Sequence, residues 1–325
     1  MMKKVVGTVC SANHLAYAKT MADSFLKYNS DYTIVICLVD KIESRFNVSE
    51  FAPYTIIEVE KLNIPQFERM SAQYSIIELN CAVKPYLCQY IFNTSNPDLL
   101  LYMDSDLLFF NSVKVVEDAL INDDIVITPH SFTPINDDFI PMERDFLRSG
   151  IYNAGFVGMK KSTTTTNFLN WWAEKLIDQS FINFAEGMCF DQNWLNFLPL
   201  YYPNIYILNN RGFNAAYWNF HERKITLNEG HYFVNNNEPL VFLHISGYKF
   251  HNPDNLSVHQ TRFQLKELPV VKEILDNYIS LVNNNGYEQF INLKCFYAKP
   301  KKKSTGIMPM FNKIIGIAGL KLSKK

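Results

Sequence analysis

Val5 to Cys10 is a β-rich, mostly apolar run, and from Ala12 onward Leu15, Ala18, Ala22, Phe25 and Leu26 recur at helical spacing, so the chain is predicted to open strand, loop, helix. TIVICLVD, residues 33 to 40, is nearly all apolar, as in a strand covered on both faces of a parallel sheet, and it ends in an acid. TIIEVEKL predicts a shorter strand, two helical segments fill Ser71 to Asn93, and LLLYMDSD, VKVVEDALIN and DIVITPH read as strand, helix and strand. That alternation predicts a doubly wound α/β sheet. Beyond residue 150 the rhythm changes. A strand is expected at YNAGFVGMKK, a helix in TNFLNWWAEKLIDQ, a second helix from about Phe190 to Leu198, and a strand at IYILN. The aromatic segment FNAAYWNFHERKI follows, then a hairpin of HYFV and PLVFLHIS turned by NNNE, and a helix in VVKEILDNYISLVNN.

With 325 residues, 48% of them hydrophobic, the chain can bury a full core as one large α/β domain or a domain with an appended subdomain. Its N-terminus, MMKKVVGTVCSANH, is too short and interrupted an apolar run for a signal peptide or a membrane span, and reads as the first strand. The six cysteines are scattered without a CxxC pair, which fits a reducing, cytosolic environment. A net charge of −1 argues against a general nucleic-acid binder. The charge is unevenly placed: residues 299 to 325 carry eight lysines and no acid, which leaves −9 on the 298 residues before them.

Within LLLYMDSDLLFF, Asp104 and Asp106 stand two apart at the end of an apolar strand. Like charges held together are unfavourable without a cation or a shared proton. Residues two apart on a strand share a face, and a strand end leaves other coordination positions open, so the pair suits Mg²⁺ or Mn²⁺ bridged to phosphates. Asp40 also falls at a strand end, where open α/β sheets bind ligands. Two other readings stay open: a pair of turn or N-cap aspartates, and an aspartate-dependent phosphatase of the haloacid dehalogenase type. The latter usually continues with a small residue and Thr or Val, whereas Leu107 and Leu108 follow here.

Five pieces occur in the order found in metal-dependent GT-A glycosyltransferases: VVGTVCSANHLAYAKTMADSF, Lys84 in the helix before the carboxylate strand, YMDSD, YNAGFVGMKKS and FDQNWLN. A sixth, FLHISGYKF, lies where that group carries a His-x-x-Gly motif. Over residues 3 to 262 the chain resembles glycosyltransferase family 8 and related bacterial polysaccharide sugar transferases. The resemblance implies an α/β fold of GT-A type, a Rossmann-like mixed sheet flanked by helices. It implies a donor site lined by Val6, Thr8, Cys10, Ala12, Asp40, Lys84, Ser105, Asn153, Ala154, Gly155, Gly247 and Lys249. Asp104, Asp106 and His244 would hold Mn²⁺ or Mg²⁺ on the diphosphate, and Asp191 and Gln192 would lie beside the anomeric carbon as catalytic residues. Asp191 could instead cap a helix, and His244 could equally be a structural histidine. Family 8 places two residues between the motif glycine and a phosphate-binding lysine; here Tyr248 alone separates Gly247 from Lys249. Tyr217, Trp218 and His221 could stack on an acceptor sugar or form a packed aromatic cluster.

The implied activity is transfer of a hexose from a nucleotide-sugar donor, a UDP-sugar by default, to a saccharide or lipid-linked acceptor in surface polysaccharide assembly, with retention favoured. A non-catalytic nucleotide- or sugar-binding module is the alternative. The expected organisation is a catalytic domain over 1–262, a helical extension over 263–298, and a basic amphipathic tail over 299–325. That tail is too interrupted to span a bilayer but suited to an anionic membrane surface at the inner face of the cell membrane.

Overall fold

The computed structural model describes residues 2–43 and 45–298. The sequence's first half builds β1 (Lys4–Cys10), β2 (Tyr32–Leu38), β3 (Thr55–Glu58), β4 (Leu99–Met103), β5 (Leu107–Phe109), β6 (Ile125–Pro129) and β7 (Tyr152–Lys160). The second half adds the short pair β8 (Ile182–Asn183) and β9 (Met188–Cys189), then β10 (Ile205–Ile207), β11 (Ile225–Asn228), β12 (His231–Val234), β13 (Glu238–Pro239) and β14 (Phe242–His244). The central sheet has seven strands in the order β10-β6-β7-β4-β1-β2-β3. β1 pairs in parallel with both β2 and β4, while β7 runs antiparallel between β4 and β6. The sheet is therefore mixed, as expected for a GT-A fold.

Alternation along the strands divides the core. Val6, Cys10, Ile34 and Ile36 face a cluster with α1 (Leu15–Leu26), whereas Val5, Val9 and Cys37 face one built on α2 (Phe67–Gln73) and α3 (Ile76–Ser95). α3 begins with a reciprocal cap: Ser75 Oγ accepts from Glu78 N, and Glu78 Oε2 accepts from Ser75 N at 2.7 Å. α4 (Lys114–Asn122), α5 (Glu143–Ser149) and α6 (Thr163–Leu176) follow, and α6 packs beside α3. The helix expected over 190–198 is instead a 3-10 turn, Gln192–Phe197, running into the short α7 (Leu198–Tyr201).

One expected pairing is corrected. NNNE does join HYFV to the next segment, but that strand stops at Glu238–Pro239, and the apolar Phe242–His244 leaves to pair with β5. Pro239 has no N–H with which to extend the ladder, and Phe242, Leu243 and His244 are buried where they arrive. β12 finds its main partner in β11.

In the segment after residue 262, α8 (Pro269–Asn284) and α9 (Tyr287–Phe290) pack on α1 and share its core. The chain then returns to the first strand's loop, where Phe296 N donates to Asp40 at 2.9 Å and Cys295 Sγ lies 3.2 Å from Asn13 Oδ1. The basic tail lies outside the described residues. Among the described residues no helix is long and apolar enough to cross a membrane.

Candidate functional site

β4 ends at Met103, and Asp104, Ser105 and Asp106 form the turn into β5. Backbone bonds hold that turn from both sides: Asp104 N donates to Gly155 O (2.8 Å), and Ile245 N to Asp106 O (2.9 Å). The β5–β14 register sets His244 opposite Leu107, so a residue distant in sequence arrives beside the pair. One ligand atom from each of Asp104, Asp106 and His244 lies within 4.8 Å of the others. His244 Nδ1 is 3.1 Å from Asn214 Oδ1, which directs Nε2 to Asp106 Oδ1 at 3.2 Å. A ligating imidazole held by an outer carbonyl has this arrangement. His244 is buried, while the Asp106 side chain keeps 32% of its surface open. Burial pushes the Asp106 carboxyl up, but His244 outweighs it and leaves the pKa below the usual carboxylate value. Two carboxylates and an imidazole form a donor set suited to a divalent cation.

Gly155 keeps the space for this set. A Cβ there would lie 2.6 Å from His244 Cε1, 2.8 Å from Asn153 Oδ1 and 2.9 Å from Asp104 Oδ2. Gly155→Ala should therefore displace Asp104 and His244 at once and, if the cluster takes the cation, weaken Mn²⁺ binding at least about tenfold. Calorimetric titration of Mn²⁺ into the variant checks this; wild-type affinity would mean the ion does not use this set.

Lys84, on α3 and buried, lies 3.0 Å from Asp104 Oδ1 and 2.9 Å from Asp191 Oδ2. Burial alone would lower its pKa, but the two carboxylates together outweigh burial and raise it. Asp191 is 3% exposed; burial raises its pKa, against the pull of Lys84. Asp191 caps no helix by its side chain. Tyr102 Oη donates to Asp104 Oδ1 at 2.8 Å, and Lys84 Nζ sits 5.0 Å from the centre of the Tyr102 ring. Oδ1 is thus held by the protein, whereas Oδ2 borders the space above Gly155. Tyr102→Phe removes one of those two holds and should weaken Mn²⁺ affinity about three- to tenfold, read by the same titration.

The β6–β7 pairing breaks register between Ile127 and Thr128, so that Ile127 pairs with Val157 and Thr128 with Asn153. The bulge carries Ala154 and Gly155 past the Asp104, Asp106 and His244 cluster. Side chains satisfy its freed N–H groups: Ala154 N donates to Gln192 Oε1 (3.1 Å), and Gly155 N to Asn153 Oδ1 (2.9 Å). Gln192 Nε2 donates to Ser149 O at 2.6 Å. The Gln192 amide is therefore committed to the backbone on both sides, and of the Asp191–Gln192 pair it is Asp191 that reaches Lys84.

The remaining expected residues fall in several places. Val6 and Thr8 are fully buried within β1, and Cys10 and Ala12 are buried where the strand enters its loop. Asp40 accepts from Ala12 N, Lys41 N and Phe296 N and pairs with Arg45 at 2.6 Å, so its carboxylate ties three segments together. Ser105 is half-buried in the carboxylate turn. Gly247 has φ +72°, and a Cβ there would collide with the His259 ring; Lys249 is exposed. Tyr217 is half-buried and meets Trp218 edge-on at 4.9 Å, and its phenol pKa is raised by burial first and by Asp106 second. Trp218 is buried edge-on to His244, with ring centres 5.0 Å apart, and His221 turns toward Ser131 and Thr133. Sequence reasoning missed Tyr102, His130 and Asn214. Tyr102 alone carried a signal, its position two residues before Asp104 on the same strand face.

Searched against models of known families, the sequence matches none. An uncharacterized protein of Bacillus subtilis (strain 168), YfnF, is 25% identical over 280 residues, 82% of this chain and 88% of its own. The fold is similar to that of the galactosyltransferase LgtC, solved with donor and acceptor sugar analogs: TM-score 0.53 and 14% identity, covering 86% of this chain and 95% of LgtC. It is also similar to apo WbbM, a bifunctional glycosyltransferase, with TM-score 0.52 and 14% identity over 89% of this chain and 51% of WbbM. The chain thus has a GT-A type glycosyltransferase fold.

Proposed function

We propose that the chain is a metal-dependent glycosyltransferase that moves a hexosyl group from a nucleoside diphosphate sugar, with UDP the default nucleotide, to a saccharide acceptor. The observation that carries this reading is the Asp104, Asp106 and His244 set meeting the buried Lys84–Asp191 pair beyond the strand ends of a glycosyltransferase fold. Mn²⁺ or Mg²⁺ bound by that set would neutralise the diphosphate leaving group as a Lewis acid. Lys84 fixes Asp104 and Asp191 through its two ion pairs and lends a positive charge to the same cleft. Ala154 and Gly155 offer the donor sugar a wall of small residues. Asp191 is buried and tied to Lys84, an unsuitable base for an acceptor hydroxyl, which supports a retaining outcome. A lipid-linked acceptor at the inner face of the membrane is supported by the lysine-rich C-terminus alone.

The test is release of UDP from a panel of UDP-sugars with Mn²⁺ or Mg²⁺, against the same reactions in EDTA. Release only with metal is the expected result and names the donor. Absence of both release and metal-dependent nucleotide binding would overturn the reading, and binding without release would leave a nucleotide-binding module.

A further inference from the structure

We propose that His130 is a positioning residue of this site: an uncharged imidazole, protonated on Nδ1, that holds the Asn153 carboxamide in the one orientation able to support the β7 bulge. The proposal rests on the donor reading above, because the bulge carries the wall assigned to the donor sugar. His130 follows β6 and is 5% exposed. Its Nδ1 lies 3.1 Å from Ile151 O, and a carbonyl only accepts, so Nδ1 carries the hydrogen. Its Nε2, 3.2 Å from Asn153 Nδ2, is then the acceptor. The ring is stacked on Phe146 with an interplanar angle of 5° and meets Trp218 edge-on at 5.3 Å, so it cannot turn away. Burial holds its pKa down to about 4, with His244 and Arg223 adding to the effect.

Asn153 has no second satisfactory orientation. Its Nδ2 faces His130 and Gln192 Oε1 (3.3 Å), and its Oδ1 accepts from Gly155 N. Turned over, the amide would set an oxygen against two acceptors and leave Gly155 N unpaired in a buried strand, an arrangement that buried polar groups avoid. Asn153 Oδ1 and Asp104 Oδ2 both border the space above Gly155. His130 therefore acts through one amide on the wall next to the proposed metal ligands.

His130→Met keeps volume and removes the acceptor. The expected result is a kcat about tenfold lower with KM for the donor and Mn²⁺ affinity within about twofold of wild type. His130→Gln, whose amide oxygen reaches the place of Nε2, should restore most of the kcat. A folded His130→Met with wild-type kcat, or a folded His130→Gln no better than His130→Met, overturns the proposal. Nitrogen-15 NMR of the imidazole decides independently of turnover. The wild type should show the Nδ1–H tautomer at pH 7, and Asn153→Asp, which sets a carboxylate against Nε2, should show the doubly protonated ring. An Nε2–H tautomer in the wild type overturns the proposal. If no donor is turned over by the wild type, the glycosyltransferase reading fails, while the NMR result still decides whether His130 holds Asn153.

Discussion

Asp106→Asn is expected to cut metal-dependent release of the nucleoside diphosphate by about 10²–10³-fold or more, while the melting temperature stays near that of the wild type. The substitution preserves shape and removes a negative charge from a set in which only Asp104 and Asp106 bring one. An amide oxygen is a weaker ligand for a hard cation, and the loss is felt most where the leaving group's charge develops. Stability should change little, because Asp106 is part-exposed and its chief partner is His244. Against the effect of burial, the Asp106 pKa is lowered, chiefly by His244, so the carboxylate stays ionised through the neutral range and the loss in Asp106→Asn is the loss of a charge present there. UDP release and Mn²⁺ titration on the same preparation test this. Unchanged release would leave the two aspartates as a structural turn.

Lys84→Met is the variant with the largest expected loss of stability. It leaves Asp191, 3% exposed, and the part-exposed Asp104 as neighbouring carboxylates without their shared cation. Breaking a buried pair from one side typically costs about 3–5 kcal/mol, and the 28% exposure of Asp104 sets the expectation at the lower end, about 3 kcal/mol. Two pH dependences follow. In the wild type the Lys84 pKa is raised, so the pair's contribution is complete below the unfolded value of about 10.4 and is lost only above the folded one. In Lys84→Met the already raised Asp191 pKa rises further, and a raised carboxyl takes up a proton more readily folded than unfolded. The variant should therefore recover stability as pH falls from 8 to 5. Urea unfolding at those two values checks it, and equal losses at both would show that Asp191 is not left charged and buried.

The part of the fold that was legible in the sequence is the part governed by local periodicity. Val5 to Cys10 and Thr33 to Leu38 are apolar enough to be central strands wherever they fall, and the carboxylates at the end of β4 mark the strand end by their charge. His244 was legible as a motif residue, but its neighbour was not: Pro239 diverts the chain from β12 to β5, a choice settled by distant packing. The same holds for Gln192 and Asp40. Each looks free in sequence, yet Gln192 is occupied by Ala154 N and Ser149 O, and Asp40 by Arg45 and three backbone N–H groups. His130 gave no signal because its partners, Asn153 on β7 and Ile151 just before it, are distant in sequence.

The pairing of β5 with β14 also bears on how the protein is made. Both aspartates emerge from the ribosome early, but the strand that carries His244 comes much later and completes the set only by finding β5. A partly synthesised chain would hold a pair of carboxylates and no finished site, so it could neither retain the cation firmly nor consume donor. Once closed, the ion would fasten an early segment to a late one, and its binding energy would add to the folded state alone. Metal starvation in the cell should then shorten the protein's lifetime as well as silence it, because quality control would meet a less firmly fastened chain.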